Sequence, residues 1–170
     1  MQKDITIIPK IKSIYFIGID YERNQKSIDK PEHNYLRDRK SFNYVSNQGI
    51  PLRIVPRNLT LDLFLDPILL KRNERRTEVY NDIERMAKIF LRYTGEKTLR
   101  LSDPITVGSL ILPDQFESKR VRIVTEKGKQ GDSAYCVPDE SSSTYAFHDF
   151  NRKAFYKELE KRLKGFENLD

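Results

Sequence analysis

The side chains that could do chemistry are few and widely spaced. The chain has two histidines and one cysteine, His33, His148 and Cys136, with no CxxC or HExxH spacing. A closed zinc site needs four such ligands, so the chain cannot assemble one alone. Cys136 and His148 could form a nucleophile and its base. A lone cysteine in an apolar stretch is more often a small core residue, and the sequence favours that interpretation.

Carboxylates at two places could bind Mg²⁺ in a nuclease. Asp20 follows the run Phe16-Ile17-Gly18-Ile19, which is similar to the first strand of RNase H-like nucleases. Asp103, followed by Glu117-Ser118-Lys119, is similar to the Asp and Glu-x-Lys set of restriction-type nucleases. Both patterns use common residue types at loose spacing. An ordinary strand end explains the Asp20 pattern as well, and charged residues at the start of strands explain the pattern of Asp103 and Glu117-Ser118-Lys119.

Basic residues near a predicted hairpin form another candidate site. They could contact the phosphates of a nucleic acid or line a lumen, and they are Arg120, Arg122, Lys127 and Lys129. The alternative is a solvated hairpin whose lysines prevent edge pairing. The net charge of +6 indicates only a weak preference for polyanions, because acids are interspersed with the bases.

Length and composition predict a globular protein with a real core. The chain has 170 residues, of which 38% are hydrophobic and 33% charged. A single cysteine excludes an internal disulfide and is compatible with a reducing cytosol. The first residues show no signal-peptide pattern and no apolar run approaches 18 residues, so we expect a soluble protein without a membrane partner.

The element that must position any site is the stretch 49–112, which is predicted to be a strand, a long helix and a second strand. Alternating leucines at 59, 61, 63 and 65 predict the first strand. The helix is predicted to end at Gly95 and to lay an apolar stripe on a sheet. The stripe is formed by Val79, Ile83, Met86 and Phe90 and is widened by Tyr80, Ala87 and Leu91. Residues 105–112 are predicted to be the second strand.

The flanking segments are predicted to serve contacts with other subunits. Residues 1–138 are expected to form a single α+β domain with a long charged excursion at 20–47. Residues 121–125 and 135–137 are predicted to pair as a hairpin. Residues 139–170 are expected to be a linker and a C-terminal amphipathic helix over 150–164. The candidates for intersubunit contact are Tyr35, Leu36, Phe42, Tyr44, Phe155, Leu159, Leu163 and Phe166.

The order of elements over 13–112 is similar to that of a known viral family. The ring-forming domain of bacteriophage distal tail proteins contains, in the same order, a strand resembling 14–20, a turn resembling Asn47-Gln48-Gly49 and an alternating strand resembling 57–65. A helix ending at a turn like Thr94-Gly95-Glu96 follows there too. That family shares its fold with tail-tube proteins. Two departures are that the chain has no room for the family's galectin-like module and that it ends in a charged helix.

The resemblance implies an α+β fold, with a curved antiparallel β-sheet or sandwich packed on one long helix, plus a C-terminal helix. It implies a structural subunit of a phage tail, baseplate or connector, made in the host cytoplasm and located in the virion. The subunit would form a homo-oligomeric ring, hexameric as the resemblance implies, with other virion proteins as partners and with DNA in its lumen. No enzyme activity, cofactor or metal is expected. The alternatives are a basic nucleic-acid-binding protein and a small Mg²⁺-dependent nuclease using Asp20 or Asp103.

Overall fold

The computed structural model describes residues 5–65 and 78–165. Two short 3₁₀ helices, Ile5–Lys10 and Pro113–Gln115, accompany the longer elements. The strands are β1 (Ile14–Ile17), β2 (Asp20–Tyr21), β3 (Leu52–Val55), β4 (Phe64–Leu65), β5 (Leu99–Arg100), β6 (Phe116–Gly128), β7 (Gly131–Pro138) and β8 (Tyr145–Phe150). The helices are α1 (Gln25–Asp29), α2 (His33–Arg37), α3 (Arg39–Ser46), α4 (Arg57–Thr60), α5 (Glu78–Thr94), α6 (Ser102–Ile111) and α7 (Arg152–Gly165).

The chain divides into two compact units. Unit 1 comprises Met1–Leu61 with Ser102–Phe150, and unit 2 comprises Asp62–Leu101 with Asn151–Asp170. The predicted domain bounds of 1–138 and 139–170 stay a prediction. Among the described residues, none of the helices combines the length and the apolar character needed to cross a membrane.

Unit 1 is built on a mixed six-stranded sheet of order β1-β3-β8-β6-β7-β2. Strand β3 runs parallel to β1 and β8, and β2 runs parallel to β7, whereas β6 is antiparallel to both of its neighbours. The predicted antiparallel sheet or sandwich packed on one long helix is therefore wrong. Parallel strands need a crossover connection, and the excursion supplies it as α1, α2 and α3. The caps of these helices are the side chains of Asn24, Glu32 and Asp38.

The two edges of this sheet are made by one short stretch of chain. Only Gly18 and Ile19 separate β1 from β2, although these strands lie at opposite ends of the sheet. Because an extended chain spans at most about 3.6 Å per residue, the edges lie within about 11 Å of each other and the sheet curls round. Its inner face holds a core of Ile19, Tyr35, Leu52, Ile54, Val121, Ala134, Cys136 and Ala146.

Two segments that were predicted as strands are largely helical. Residues 57–65 form α4 and the two-residue strand β4, and residues 105–112 fall mostly in α6. The start of α6 at Ser102-Asp103-Pro104 places proline in the first helical turn, where its missing N–H costs nothing. The hairpin prediction is confirmed by the pairing of β6 with β7, and the C-terminal helix is confirmed by α7. Strand β8 was not predicted.

In unit 2, helix α5 buries only part of the predicted apolar stripe. Tyr80 and Ala87 of that stripe are buried, together with Glu84, whereas Met86 and Phe90 are exposed. The helix carries apolar residues on two faces, and spacing alone does not say which face packs inward. The prediction is therefore confirmed for Tyr80 and Ala87 and wrong for Met86 and Phe90.

Replacement of Ile54 by alanine should destabilise unit 1. Ile54 is fully buried inside the curled sheet, so the variant loses apolar contacts and leaves a cavity, which lowers the free energy of unfolding by about 2–5 kcal/mol. Denaturant unfolding measures the change. Val107→Ala, at an exposed position of α6, is the control, and we expect a change within about 0.5 kcal/mol. Equal losses in both variants would contradict the assigned core.

Candidate functional site

Unit 1 contains an apolar cavity of about 410 Å³. Strands β1 and β3 form one wall, and α2 and α3 form the other. The volume falls in the range of small-molecule sites, which is about 300–1,000 Å³. The lining residues are Ile14, Phe16, Ile17, Gly18, Ile19, Asn34, Tyr35, Ser41, Phe42, Val45 and Leu52.

Aromatic rings dominate the wall that α2 and α3 contribute. Phe42 packs edge-on against Phe16 and Tyr35, with ring centroids 5.4 and 5.2 Å apart. Phe16 belongs to the strand and shares a face with Ile14, because side chains alternate along β1. A flat apolar group entering the cavity would therefore meet ring surfaces from both walls.

Polar groups at the cavity come from the start of α2. Glu32 caps this helix by accepting a hydrogen bond from Tyr35 N at 3.0 Å. A Cβ built on Gly18 would lie 3.3 Å from Glu32 Oε2, so the carboxylate lies beside the Gly18 part of the wall. Asn34 Nδ2 donates to the carbonyl oxygen of Ile17 at 3.1 Å. A side chain larger than glycine at position 18 would crowd both Glu32 and Phe16.

Tyr35 is the buried polar residue of the lining. It is 2% exposed, and its hydroxyl has no hydrogen-bond partner among the described residues. Burial raises the pKa of this hydroxyl above its usual range, the charge of Asp132 raises it further, and Arg39 opposes the rise. The hydroxyl therefore stays protonated at neutral pH. A buried polar atom without a partner usually has one that the protein itself does not supply.

A buried ion pair lies at the carboxyl ends of β1 and β3. Asp20 is 2% exposed, and Arg57 donates to its two oxygens from Nε and Nη2 at 3.1 and 2.9 Å. Arg57 Nη1 also donates to the carbonyl oxygen of Lys30 at 3.2 Å. Because the guanidinium occupies both carboxylate oxygens, Asp20 is not placed as a free metal ligand.

The predicted nuclease constellations are not assembled. Asp103 lies in the first turn of α6, while Glu117 and Lys119 are exposed on β6. Across residues 5–65 and 78–165, no group of three or more His, Cys, Asp or Glu side chains could hold a metal ion. The nuclease interpretation of Asp20 or Asp103 therefore lacks the converging carboxylates that it requires.

Cys136 is a core residue of β7. Its Sγ donates to the carbonyl oxygen of Asp20 at 3.4 Å, and burial raises the pKa of its thiol to about 12. His148 lies on β8, with its ring centroid 6.3 Å from that of Tyr21. The thiolate that nucleophilic catalysis needs is thus disfavoured, and the pairing of Cys136 with His148 as nucleophile and base is wrong.

The predicted basic site lies on β6 and the turn after it. Arg120 donates to the carbonyl oxygen of Glu140 at 2.9 Å and to the Tyr145 hydroxyl at 3.3 Å. Lys129 pairs with Asp29 at 3.1 Å, and Arg122 and Lys127 are exposed. A contact of these residues with nucleic acid or a lumen stays a prediction.

The predicted intersubunit residues lie partly in the interior. Tyr35 and Phe155 are buried, and the others that the structure describes are half-buried: Leu36, Phe42, Tyr44, Leu159 and Leu163. Phe166 lies outside the described residues. The sequence analysis assigned Tyr35 and Phe42 to a contact surface and did not recognise them as cavity residues. The signal that could have found them is the aromatic spacing of α2 and α3.

Comparison with solved structures finds one recurring architecture. An inosine-uridine preferring nucleoside hydrolase from Bacillus anthracis superposes with a TM-score of 0.66 and 15% identity, over 95% of this chain and 54% of that one. A purine-preferring ribonucleoside hydrolase from Gardnerella vaginalis superposes with a TM-score of 0.64 and 13% identity, over 78% of this chain and 45% of that one. A plant nucleoside hydrolase, PpNRh1, superposes with a TM-score of 0.63 and 16% identity, over 95% of this chain and 56% of that one.

The chain has the nucleoside hydrolase fold. It spans about half the length of the solved structures it matches. No family model and no curated protein sequence matches it.

These matches overturn the viral interpretation. The three structures are nucleoside hydrolases and not tail proteins, so the resemblance to distal tail proteins is wrong. The predicted structural role in a tail, baseplate or connector and the virion location rested on that resemblance and are wrong with it. The expectation of a protein without enzyme activity is also overturned, because all three proteins of this fold are named as hydrolases. The matches support neither a basic nucleic-acid-binding protein nor a Mg²⁺-dependent nuclease.

Removal of one partner from the buried ion pair should be costly. Arg57→Met leaves the Asp20 carboxylate buried without its cation, which should lower the free energy of unfolding by about 3–5 kcal/mol. The double variant Asp20→Asn/Arg57→Met should recover part of that loss, because no unpaired charge remains. Chemical denaturation of the two variants measures both effects.

The matched control for this prediction is Arg23→Met. Arg23 makes a similar two-oxygen contact with Glu126 at the surface, at 2.8 and 2.6 Å. Solvent screens that pair, so its loss should hardly change the unfolding midpoint. If Arg23→Met and Arg57→Met were equally destabilising, burial would not be the reason for the cost.

Cys136 should be unreactive in the folded protein. With a thiol pKa of about 12, only about 1 in 10⁴ molecules carries a thiolate at pH 8, and the sulfur is fully buried. The reaction with a chromogenic disulfide reagent should be at least about 10³-fold slower in buffer than in denaturant. Cys136→Ala supplies the blank. Equal rates under the two conditions would contradict the assigned burial.

Proposed function

We propose that the chain binds a nucleoside, with the base in the aromatic cavity of unit 1, and hydrolyses its N-glycosidic bond. The observation that carries this proposal is the 410 Å³ cavity with rings on both walls, present in a chain of nucleoside hydrolase fold. The proteins of that fold named above act on purine or inosine-uridine nucleosides by their titles.

The chemistry of a nucleobase suits this cavity. A base has flat apolar faces and a polar edge, and stacking on an aromatic side chain contributes about 1–3 kcal/mol per base. Phe16 and Phe42 offer ring surfaces, and the Asn34 amide, which also lines the cavity, offers a polar group to the edge. A sugar alone would leave those rings without a matching surface.

Hydrolysis needs groups that act on both sides of the bond. As the bond between C1′ and the base nitrogen breaks, the ribose ring gains positive charge and the base gains the bonding electron pair. Glu32, beside Gly18, is the carboxylate that can stabilise the cationic sugar. Water then adds its hydroxyl to C1′ and its second proton goes to the base nitrogen, which gives ribose and free base.

The direct test is incubation of the purified protein with inosine, adenosine, guanosine, uridine and cytidine. Free base is measured by reverse-phase chromatography, and binding by calorimetry. We expect at least one nucleoside to be bound and cleaved. Failure of all five to bind would refute the base site. Binding of a nucleoside without cleavage of any of them would retain the site and refute the hydrolase activity.

Two variants assign the roles. Phe42→Ala should weaken binding by about 10–100-fold, the loss of one stacking partner, whereas Tyr145→Leu, whose ring lies outside the cavity, should not. Glu32→Gln should lower kcat by at least about 10²-fold with little change in nucleoside affinity, and the exposed Glu117→Gln is its control. Thermal unfolding of each variant shows whether the folded state is retained.

A further inference from the structure

One row of alternating tyrosine and arginine side chains crosses four strands of the sheet in unit 1. Tyr15 of β1 is the register partner of Arg53 in β3. Arg53 in turn pairs with Tyr145 of β8, and Tyr145 pairs with Arg120 of β6. Register partners share a face of the sheet, and successive residues of a strand point to opposite faces. Because the next residue of β3, Ile54, belongs to the core, this Tyr/Arg row lies on the face opposite to the core and to the aromatic cavity.

Contacts within the Tyr/Arg row hold both guanidinium groups in place. Arg53 Cζ lies 3.9 Å from the centroid of the Tyr145 ring, and Arg120 Cζ lies 5.8 Å from it. Arg120 also donates from Nε to the Tyr145 hydroxyl at 3.3 Å and from Nη1 to the carbonyl oxygen of Glu140 at 2.9 Å. A guanidinium that stacks on a ring keeps N–H donors at its edge. Since these groups are already oriented, less side-chain entropy is lost when a partner binds them.

Neither arginine of the row is paired with a carboxylate in the part of the chain that the structure describes. Asp139 and Glu140 lie in the turn beside Arg120. Asp139 accepts hydrogen bonds from Ser141, and Glu140 meets Arg120 through its main-chain carbonyl oxygen. Arg120 is exposed and Arg53 is half-buried. Their positive charges, in a chain of net charge +6, favour a partner that carries negative charge.

The spacing of the two arginines favours a helix as that partner. Arg53 and Arg120 stand two strand spacings apart, which is roughly 10 Å. Carboxylates seven residues apart on an α-helix share a face and lie about 10.5 Å apart. Same-face residues of an extended chain lie about 7 or 13 Å apart and match less well. Each guanidinium can hold a carboxylate through two N–H···O hydrogen bonds, and the helix residue between the carboxylates then lies over Tyr145.

Nucleic acid fits the Tyr/Arg row less well than an acidic helix does. A base stacks on the open face of an aromatic ring, but Arg53 already lies over a face of Tyr145. Tyr15, at the end of the row, is half-buried. The row therefore offers fixed N–H donors for carboxylates and not a series of open rings for bases.

We propose that the Tyr/Arg row is a docking surface for an acidic α-helix of a partner protein, which presents two carboxylates seven residues apart. The charge and the spacing of Arg53 and Arg120 specify this occupant. The row uses no residue of the aromatic cavity, so the docking proposal and the proposed nucleoside hydrolase activity are tested separately.

A designed peptide tests the chemistry of the partner. The probe is a fluorescein-labelled, alanine-rich helical peptide with two glutamates seven residues apart and a leucine midway between them. Fluorescence anisotropy follows its titration with the full chain, and we expect saturable binding. Replacing both glutamates with glutamine, or moving them to a spacing of five residues, should weaken binding at least about 10-fold. No saturable binding, or equal binding of the three peptides, would overturn the proposal. Tighter binding of a labelled oligothymidine that displaces the peptide would overturn the assignment to a protein partner.

Variants of the chain test the surface. Arg53→Gln and Arg120→Gln should each weaken peptide binding at least about 10-fold. Lys127→Gln is the matched control, because it removes the same charge from an exposed position of β6 outside the row, and it should change the affinity less than about two-fold. Equal losses for Lys127→Gln and Arg120→Gln would overturn the proposal, since net charge alone would then explain the binding.

Two further variants separate the row from the cavity. Tyr145→Leu removes the ring on which Arg53 stacks and should weaken binding of the peptide while nucleoside binding is unchanged. Phe42→Ala should have the reverse effect. Thermal unfolding of each variant shows whether the folded state is retained. Peptide binding that Phe42→Ala weakens as much as Tyr145→Leu would place the peptide in the cavity and overturn the assigned surface.

Discussion

The stretch from β1 to β2 holds unit 1 together. Within eight residues it pairs with β3 at one edge of the sheet and with β7 at the other. The change of partner occurs at Gly18 and Ile19, and Ile19 adopts a positive φ of 39° there. Such a conformation is costly for a branched residue. It persists because hydrogen bonds fix both sides, from Gly18 N to Val55 O and from Glu22 N to Cys136 O.

The same stretch brings the chemical features of the unit together. Gly18 lines the aromatic cavity and lies against Glu32, while Asp20, two residues later, is held by Arg57 at the carboxyl ends of the strands. In open α/β sheets, ligands bind in the crevice beyond these ends. Here an ion pair closes part of that region. The aromatic cavity lies between β1, β3 and the helices α2 and α3.

Several elements could be predicted from sequence, and the reasons for the failures are specific. The hairpin of β6 and β7 and helix α7 followed from local turn and capping signals. The strand order of the sheet could not be predicted, because it depends on residues that pair between distant strands, such as Asp20 with Tyr135. No local sequence pattern reveals such pairs. The excursion looked like a loop because its three helices are short and polar. Proline in the first turn of α6 was available as a helix signal, although residues 105–112 were predicted to be a strand.

The candidate site was less predictable than the fold. Tyr35 and Phe42 were predicted to contact other subunits, and sequence could not show that Phe42 packs against both Phe16 and Tyr35. Their contacts depend on how the crossover packs on β1 and β3. Asp20 was recognised as a possible Mg²⁺ ligand at a strand end. Its ion-pair partner Arg57 was not recognised, because it lies 37 residues away in the sequence.

The parallel pairing of β2 with β7 and of β3 with β8 also bears on how the chain is made. Both pairs join the first third of the sequence to residues beyond 130. During synthesis, β2 and one edge of β3 have no partner until most of the chain has left the ribosome. Long-range pairing of this kind is slow, because the chain loses the conformational entropy of a large loop before the paired strands gain their contacts. Helices α2 and α3, whose side chains line the cavity beside β1 and β3, belong to the part of the chain that is made before β6, β7 and β8.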